Sequence, residues 1–170
     1  MLEESLKQNN YLSNEIKENI SELVNTFSNK FPQVDLTNFY EKIKTLQIKK
    51  ISKYLSSNIS KYDILENTIY FNKDELNKEY DIKHILMYEL LNVISSNGFN
   101  NKDEFLSLNC GFTEILANLL VGNELTPIYK EEAVYANIIS MMIGVDVLQE
   151  AYFKNDPDLI TNALQRIGAM

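Results

Sequence analysis

Apolar residues at the start of the chain recur at mostly helical spacing. Leu6, Leu12, Ile16, Ile20, Leu23, Val24 and Phe27 are separated by Lys, Glu and Asn. They predict one amphipathic helix over residues 3–30, stopped by Pro32. Leu36, Phe39, Tyr40 and Ile43 predict a second, shorter helix. The pattern then changes. Leu46 to Tyr54 mixes β-branched residues with lysines and predicts a strand. Residues 61–72 predict two short extended pieces joined by a turn at Glu66-Asn67, with Thr68, Ile69, Tyr70 and Phe71 favouring strand. Asp74 or Asn77 is the expected cap before the next helix.

Helical spacing returns from Ile82 to Ser96. Ile82, Ile85, Leu86, Leu90, Val93 and Ile94 define an apolar face, and Asn97-Gly98 supplies a left-handed terminator. A polar loop is expected from Phe99 to Asn109. Gly111 to Val121 predicts a helix with Phe112, Ile115, Leu116, Leu119 and Leu120 inward. Another runs from Pro127 to Ile143, and a short one from Asp146 to Lys154. The last starts at Asp156-Pro157 and buries Leu159, Ile160, Ala163, Leu164 and Ile167. The expected fold is therefore α+β and mostly helical, in a single domain. Residues 1–45 form N-terminal helices, residues 46–72 a small β region, and residues 73–170 a helical region.

Composition narrows the function classes. Apolar residues make up 45% of the 170, enough for a core and against disorder. The net charge of −8 repels phosphate backbones and disfavours nucleic acid as a partner. Lys42, Lys44, Lys49, Lys50 and Lys53 form a local exception, read as a strand edge guarded by lysines. The acidic start, Met1 to Ser5, lacks the apolar stretch of a signal peptide, and no apolar run approaches a bilayer span. A cytoplasmic protein with no membrane partner is expected. The Asn- and Lys-rich composition points to an AT-rich bacterial genome.

Chemistry concentrates in the helix from Ile82. Zinc peptidases carry two histidines four apart on a helix, with a glutamate after the first to take a proton from metal-bound water. Here Glu89 stands at the glutamate position, and Tyr88 and Asn92 stand at the two histidine positions. The run Gly111-Phe112-Thr113-Glu114-Ile115-Leu116-Ala117-Asn118 follows, with Glu114 placed 25 positions after Glu89.

With these residues the chain resembles the gluzincin group of zincin metallopeptidases, over roughly residues 60–155. The resemblance implies a zincin-like fold, with a small sheet before the motif helix and a helical C-terminal half. It implies that Glu114 sits at the third metal-ligand position. It also implies that the strand at 67–72, with Ile69 and Tyr70, lines a cleft and pairs with peptide backbone. The two replaced histidines mark the departure. A tyrosine titrates near 10 and is a poor zinc ligand at neutral pH. An asparagine offers only a neutral amide oxygen. No metal, no cofactor and no confident catalytic residue are therefore expected, and Glu89 is a vestigial candidate. Tyr88, Glu89, Asn92 and Glu114 are expected to form a hydrogen-bonded polar cluster.

Three functions follow as expectations. One is a non-catalytic metallopeptidase-like module that binds a protein or peptide through Ile69, Tyr70 and the Tyr88/Glu89/Asn92 face. The second is an enzyme using Glu89 and Glu114 with a non-zinc metal or none. The third is a helical interaction module unrelated to zincins. His84, the lone histidine, reads as a surface or partly buried residue rather than a shifted ligand. Cys110, the lone cysteine, reads as a small buried hydrophobe rather than a nucleophile. Met141-Met142 with Ile138, Ile139 and Ile143 reads as core packing.

Overall fold

The computed structural model describes residues 1–52, 58–76, 81–99, 102–122 and 128–169. Among them the chain forms α1 (Leu2–Gln8), α2 (Asn14–Lys30), α3 (Thr37–Ile43), β1 (Gln47–Ile51), β2 (Ser60–Asp63) and β3 (Thr68–Asn72). Five further helices follow: α4 (Ile82–Ile94), α5 (Leu106–Val121), α6 (Lys130–Ile143), α7 (Val145–Lys154) and α8 (Asp158–Arg166). The fold is α+β and mostly helical, and one apolar cluster runs through it from Leu6 to Leu164.

The expected single helix over 3–30 is two helices. Asn9 causes the break. It is fully buried, and its amide Nδ2 donates to the carbonyls of Ile43 (2.6 Å) and Leu46 (2.9 Å). Its Oδ1 accepts from the backbone N–H groups of Tyr11 and Leu12. Such local side-chain bonds compete with helix continuation. Ser13 then caps α2, its hydroxyl accepting from Ile16 N–H.

β1 pairs parallel with β3, and β2 pairs antiparallel with β3, in the order β1-β3-β2. This corrects the expectation for residues 67–72. β3 is the central strand, its backbone engaged on both sides, and Ile69 is fully buried. β1 and β2 are the edges. Exposed Lys49 and Lys50 lie on β1, in keeping with a lysine-guarded edge, while Lys42 does something else. Its Nζ reaches from α3 to the Val93 carbonyl (3.2 Å) and Ser96 Oγ (2.7 Å) at the end of α4. Lys53 and the end of the expected 46–54 strand lie outside the described residues.

The expected cap residues for α4 give way to Asp81. Its carboxylate accepts from the N–H groups of Lys83 and His84. Asp74 lies upstream of the cap, and Asn77 lies outside the described residues. α4 is not amphipathic in the expected sense: every residue from His84 to Ile94 is buried. It is enclosed by α3, α5 and β2. Left-handed Ser96, Asn97 and Gly98 turn the chain out of it.

The loop expected from Phe99 to Asn109 is shorter, because a 3-10 turn at Asp103–Phe105 leads directly into α5 at Leu106. Phe99 is buried among Phe105, Phe112 and Tyr152. The extended α5 gives Asp103–Val121 the length and apolarity of a membrane span, contrary to expectation, although half of that stretch is buried in the fold. Within it, Leu119 faces outward at 51% exposure. α5 packs closely on α6 at Gly111, where an added Cβ would lie 1.9 Å from the Glu132 carbonyl oxygen. Only a residue without a side chain permits that approach. Pro127 lies outside the described residues. At α8 the Asp156 carboxylate accepts from the Asp158 N–H at 3.2 Å, with Pro157 at the helix start, as expected.

The N-terminal break sets the first test. Asn9→Ala leaves the Ile43 and Leu46 carbonyls without donors in the core. It is expected to lower the unfolding free energy by about 3 kcal/mol. Urea denaturation measures this, and a change below about 0.5 kcal/mol, the ordinary scatter of surface substitutions, contradicts the assignment.

Candidate functional site

Glu89 lies in the middle of α4 and is 1% exposed. The neighbouring edge strand explains how a carboxylate is held there. Asn72 N–H donates to the Ile59 carbonyl across the β2–β3 ladder. Antiparallel alternation then turns the N–H and C=O groups of Ser60 and Tyr62 toward the open edge. Glu89 meets that edge. Ser60 Oγ donates to its Oε1 at 2.5 Å, Asn92 Nδ2 donates to its Oε2 at 3.1 Å, and Tyr62 N–H supplies a third bond. Burial is the dominant influence and pushes the Glu89 carboxyl up to about 7, against the opposing effect of these donors.

Tyr88 faces α5 and α6. Its ring stacks on Tyr129 at 5.1 Å between centroids, and its hydroxyl shares a hydrogen bond with the Cys110 thiol. Burial, then the nearby Cys110, Tyr129 and Glu89, hold its phenol well above the ordinary range. Burial likewise raises the Cys110 thiol, so it is a weak nucleophile. These groups surround a cleft of about 260 Å³. Ser60, Lys61 and Tyr62 form its strand wall, Tyr88, Glu89 and Asn92 its helical wall, and Asn109, Cys110 and Tyr129 the side opposite. A larger groove of about 460 Å³ is lined by exposed Asp35, Asp146, Glu150 and Lys154. Its carboxylates stand in solvent, whereas the smaller cleft gathers the titratable groups Tyr88, Glu89 and Cys110, all raised by burial.

The structure thus brings together Tyr88, Glu89 and Asn92. It does not bring Glu114, Ile69 or Tyr70 to them. Glu114 does not line the cleft; it is fully buried one helical turn away, where its Oε1 meets His84 Nε2 at 3.0 Å. His84 is consequently buried at 3% exposure, neither a surface residue nor a free one. Burial lowers its affinity for a proton, and the hydrogen bond and charge of Glu114 outweigh that, so the imidazole is raised above its ordinary value. Ile69 is fully buried, and Tyr70 bonds to Glu66 through its hydroxyl. Sequence reasoning missed Ser60, Tyr62 and Tyr129. Ser60 and Tyr62 carry a usable signal, two positions apart on a strand next to the motif helix; Tyr129 carries none.

The donor set does not fit a peptidase zinc. The Tyr88 phenol is held protonated, Asn92 offers only a neutral amide oxygen while its Nδ2 donates to Glu89, and Glu114 is paired with His84. Among the described residues, no three His, Cys, Asp or Glu side chains gather as a metal-holding group. Comparison with family models, with curated proteins and with solved structures finds no match to this chain.

The buried acids set the direction of pH dependence. Glu89 is raised from its unfolded value, near 4.5, to about 7. The folded state therefore binds the extra proton between those values, and stability falls as pH rises through that window. The drop is about 3 kcal/mol and levels off above 7. His84 acts in the same direction: its contribution is present below about 6.5 and is lost as pH rises through its raised value. Urea midpoints at pH 5 and pH 8 are expected to fall for the native chain and to fall much less for Glu89→Gln. Equal falls in both would remove Glu89 as the source.

Proposed function

We propose that the chain is a non-catalytic, metallopeptidase-like module. It holds an extended segment of another protein or peptide in the cleft between β2 and α4, and does not cut it. One observation carries the reading: the unpaired edge of β2 forms a wall of the cleft, beside a carboxylate already tied up by three donors. The Tyr62 N–H is engaged by Glu89, but the outward carbonyls of Ser60 and Tyr62 accept no hydrogen bond among the described residues. They are ready acceptors for the N–H groups of an added strand. Lys61, exposed on the same strand, favours an acidic side chain beside that segment. The volume of about 260 Å³ suits one side chain of the segment rather than a whole small-molecule cofactor.

Support for the zincin-like ancestry comes from the order of parts: a strand, the motif helix, a loop, and a helix carrying a glutamate. The replaced histidines and the tied carboxylate support loss of hydrolysis. The paired-carboxylate enzyme loses its basis, because Glu114 is held by His84 outside the cleft. Glu89 at about 7 keeps one acid–base group suited to neutral pH, and a metal-free enzyme would have to use it alone.

The test uses a displayed library of random peptides, selected on the full chain and then measured by calorimetry. Selected peptides are expected to bind, to lose at least about tenfold in affinity when Cys110 is alkylated, and to be recovered at unchanged mass. Protection of Cys110 from iodoacetamide by the peptide gives the reciprocal readout. Cleavage abolished by Glu89→Gln, with stoichiometric zinc in protein purified without chelator, would overturn the proposal. So would binding indifferent to alkylation.

A further inference from the structure

Met141-Met142, with Ile138, Ile139 and Ile143 on α6, was expected to be core packing. Only part of it is. Ala136 and Ile139 are buried, whereas Val134 (58%), Tyr135 (45%), Ile138 (52%), Met141 (81%), Met142 (45%) and Val145 (48%) are exposed. The first five lie on one stripe of α6, at positions i−4, i−3, i, i+3 and i+4 about Ile138. Val145 extends it past Gly144. From Ala133 to Val145 the sequence contains no charged residue. Charges return at the rim, with Lys130 and Glu131 before the stripe and Asp146 after it.

A chain with net charge −8 that leaves so long an uncharged apolar stripe in water has a specific use for it. We infer that the stripe is the interface of a homodimer, in which α6 packs antiparallel on α6 of a second copy across a two-fold axis through Ile138. The spacing suits this occupant, and the exposed area sustains it. A two-fold axis demands a self-complementary surface, and the stripe reads the same in both directions from Ile138. The axis sets Ile138 against its own copy, Val134 against the partner's Met142, and Tyr135 against the partner's Met141. Methionine sulfur packs favourably on an aromatic ring. Antiparallel helices also bring opposite ends of their dipoles together. Six side chains exposed by about half or more leave on the order of 600 Å² on each copy, or about 1,200 Å² buried in total, at the lower end of stable interfaces.

The surface is separate from the cleft residues, so the inference stands or falls independently of the proposed peptide binding. Sedimentation equilibrium of the full chain is expected to give twice the 19.7 kDa chain mass. Ile138→Glu and Met141→Lys are expected to yield monomers with unchanged circular dichroism, since both sites are solvent-facing in one copy. Ile138→Cys in a Cys110→Ser background is expected to form a disulfide dimer under mild oxidation, because a residue on the axis meets itself. A monomeric native chain at about 100 µM, well above the range of useful self-association, overturns the inference. A dimer that survives both charged substitutions does the same. Binding of the monomer to lipid vesicles, abolished by Met141→Lys, would assign the stripe to a membrane surface and equally overturn it.

Discussion

The carboxylate of Glu89 is the constraint around which the site is organised. An edge strand exposes unpaired backbone groups, and a helix buried on all sides has few places for a charge. In this fold each answers the other: Tyr62 N–H and Ser60 Oγ find an acceptor, and Glu89 finds donors. Asn92, one turn along α4, closes the cluster. The match is incomplete, which is why burial still holds the acid near neutrality rather than in the usual carboxylate range. Breaking such a cluster by removing one partner costs more than the bond itself, because the others stay buried without it.

The same economy runs through the neighbouring groups. Each residue that a metal site would require has another task. Tyr88 packs on Tyr129 and bonds to Cys110, Asn92 serves Glu89, and Glu114 holds His84. His84 and Glu114 tie α4 to α5 one turn from the cleft, so these helices are joined by a buried hydrogen bond between imidazole and carboxyl. The cleft that remains is polar, small and walled on one side by strand backbone. These properties underlie the proposal that the cleft holds an extended chain without acting on it chemically.

Much of the fold was legible because periodicity reports burial. α2, α3, the turn at Glu66-Asn67, both strands around it, α4 and the C-terminal helices fall close to where apolar spacing puts them. Failures occurred where one polar side chain acts at a distance. Nothing local in Asn9 reveals that its amide bridges Ile43 and Leu46, and so breaks a helix that spacing alone would continue. Strand order was likewise hidden: residues 67–72 look the same in sequence whether central or at an edge, and pairing with β1 decides it. At the site, Tyr88, Glu89 and Asn92 were legible through their spacing on one helix. Ser60 and Tyr62 share one face of a strand, which alternation shows, but that this face meets α4 depends on sheet topology. The exposed stripe of α6 misled for a related reason: apolar spacing locates a face, but not what covers it.

The carbon-13 resonance of the Glu89 side-chain carboxyl, identified by its loss in Glu89→Gln and followed through a pH titration with and without one equivalent of zinc, tests the account most directly. A buried acid held by Ser60, Tyr62 and Asn92 titrates near 7 in both cases. A midpoint in the ordinary carboxylate range, or one that zinc drives sharply downward, would mean that the carboxylate is solvated or faces a metal, and would contradict the account.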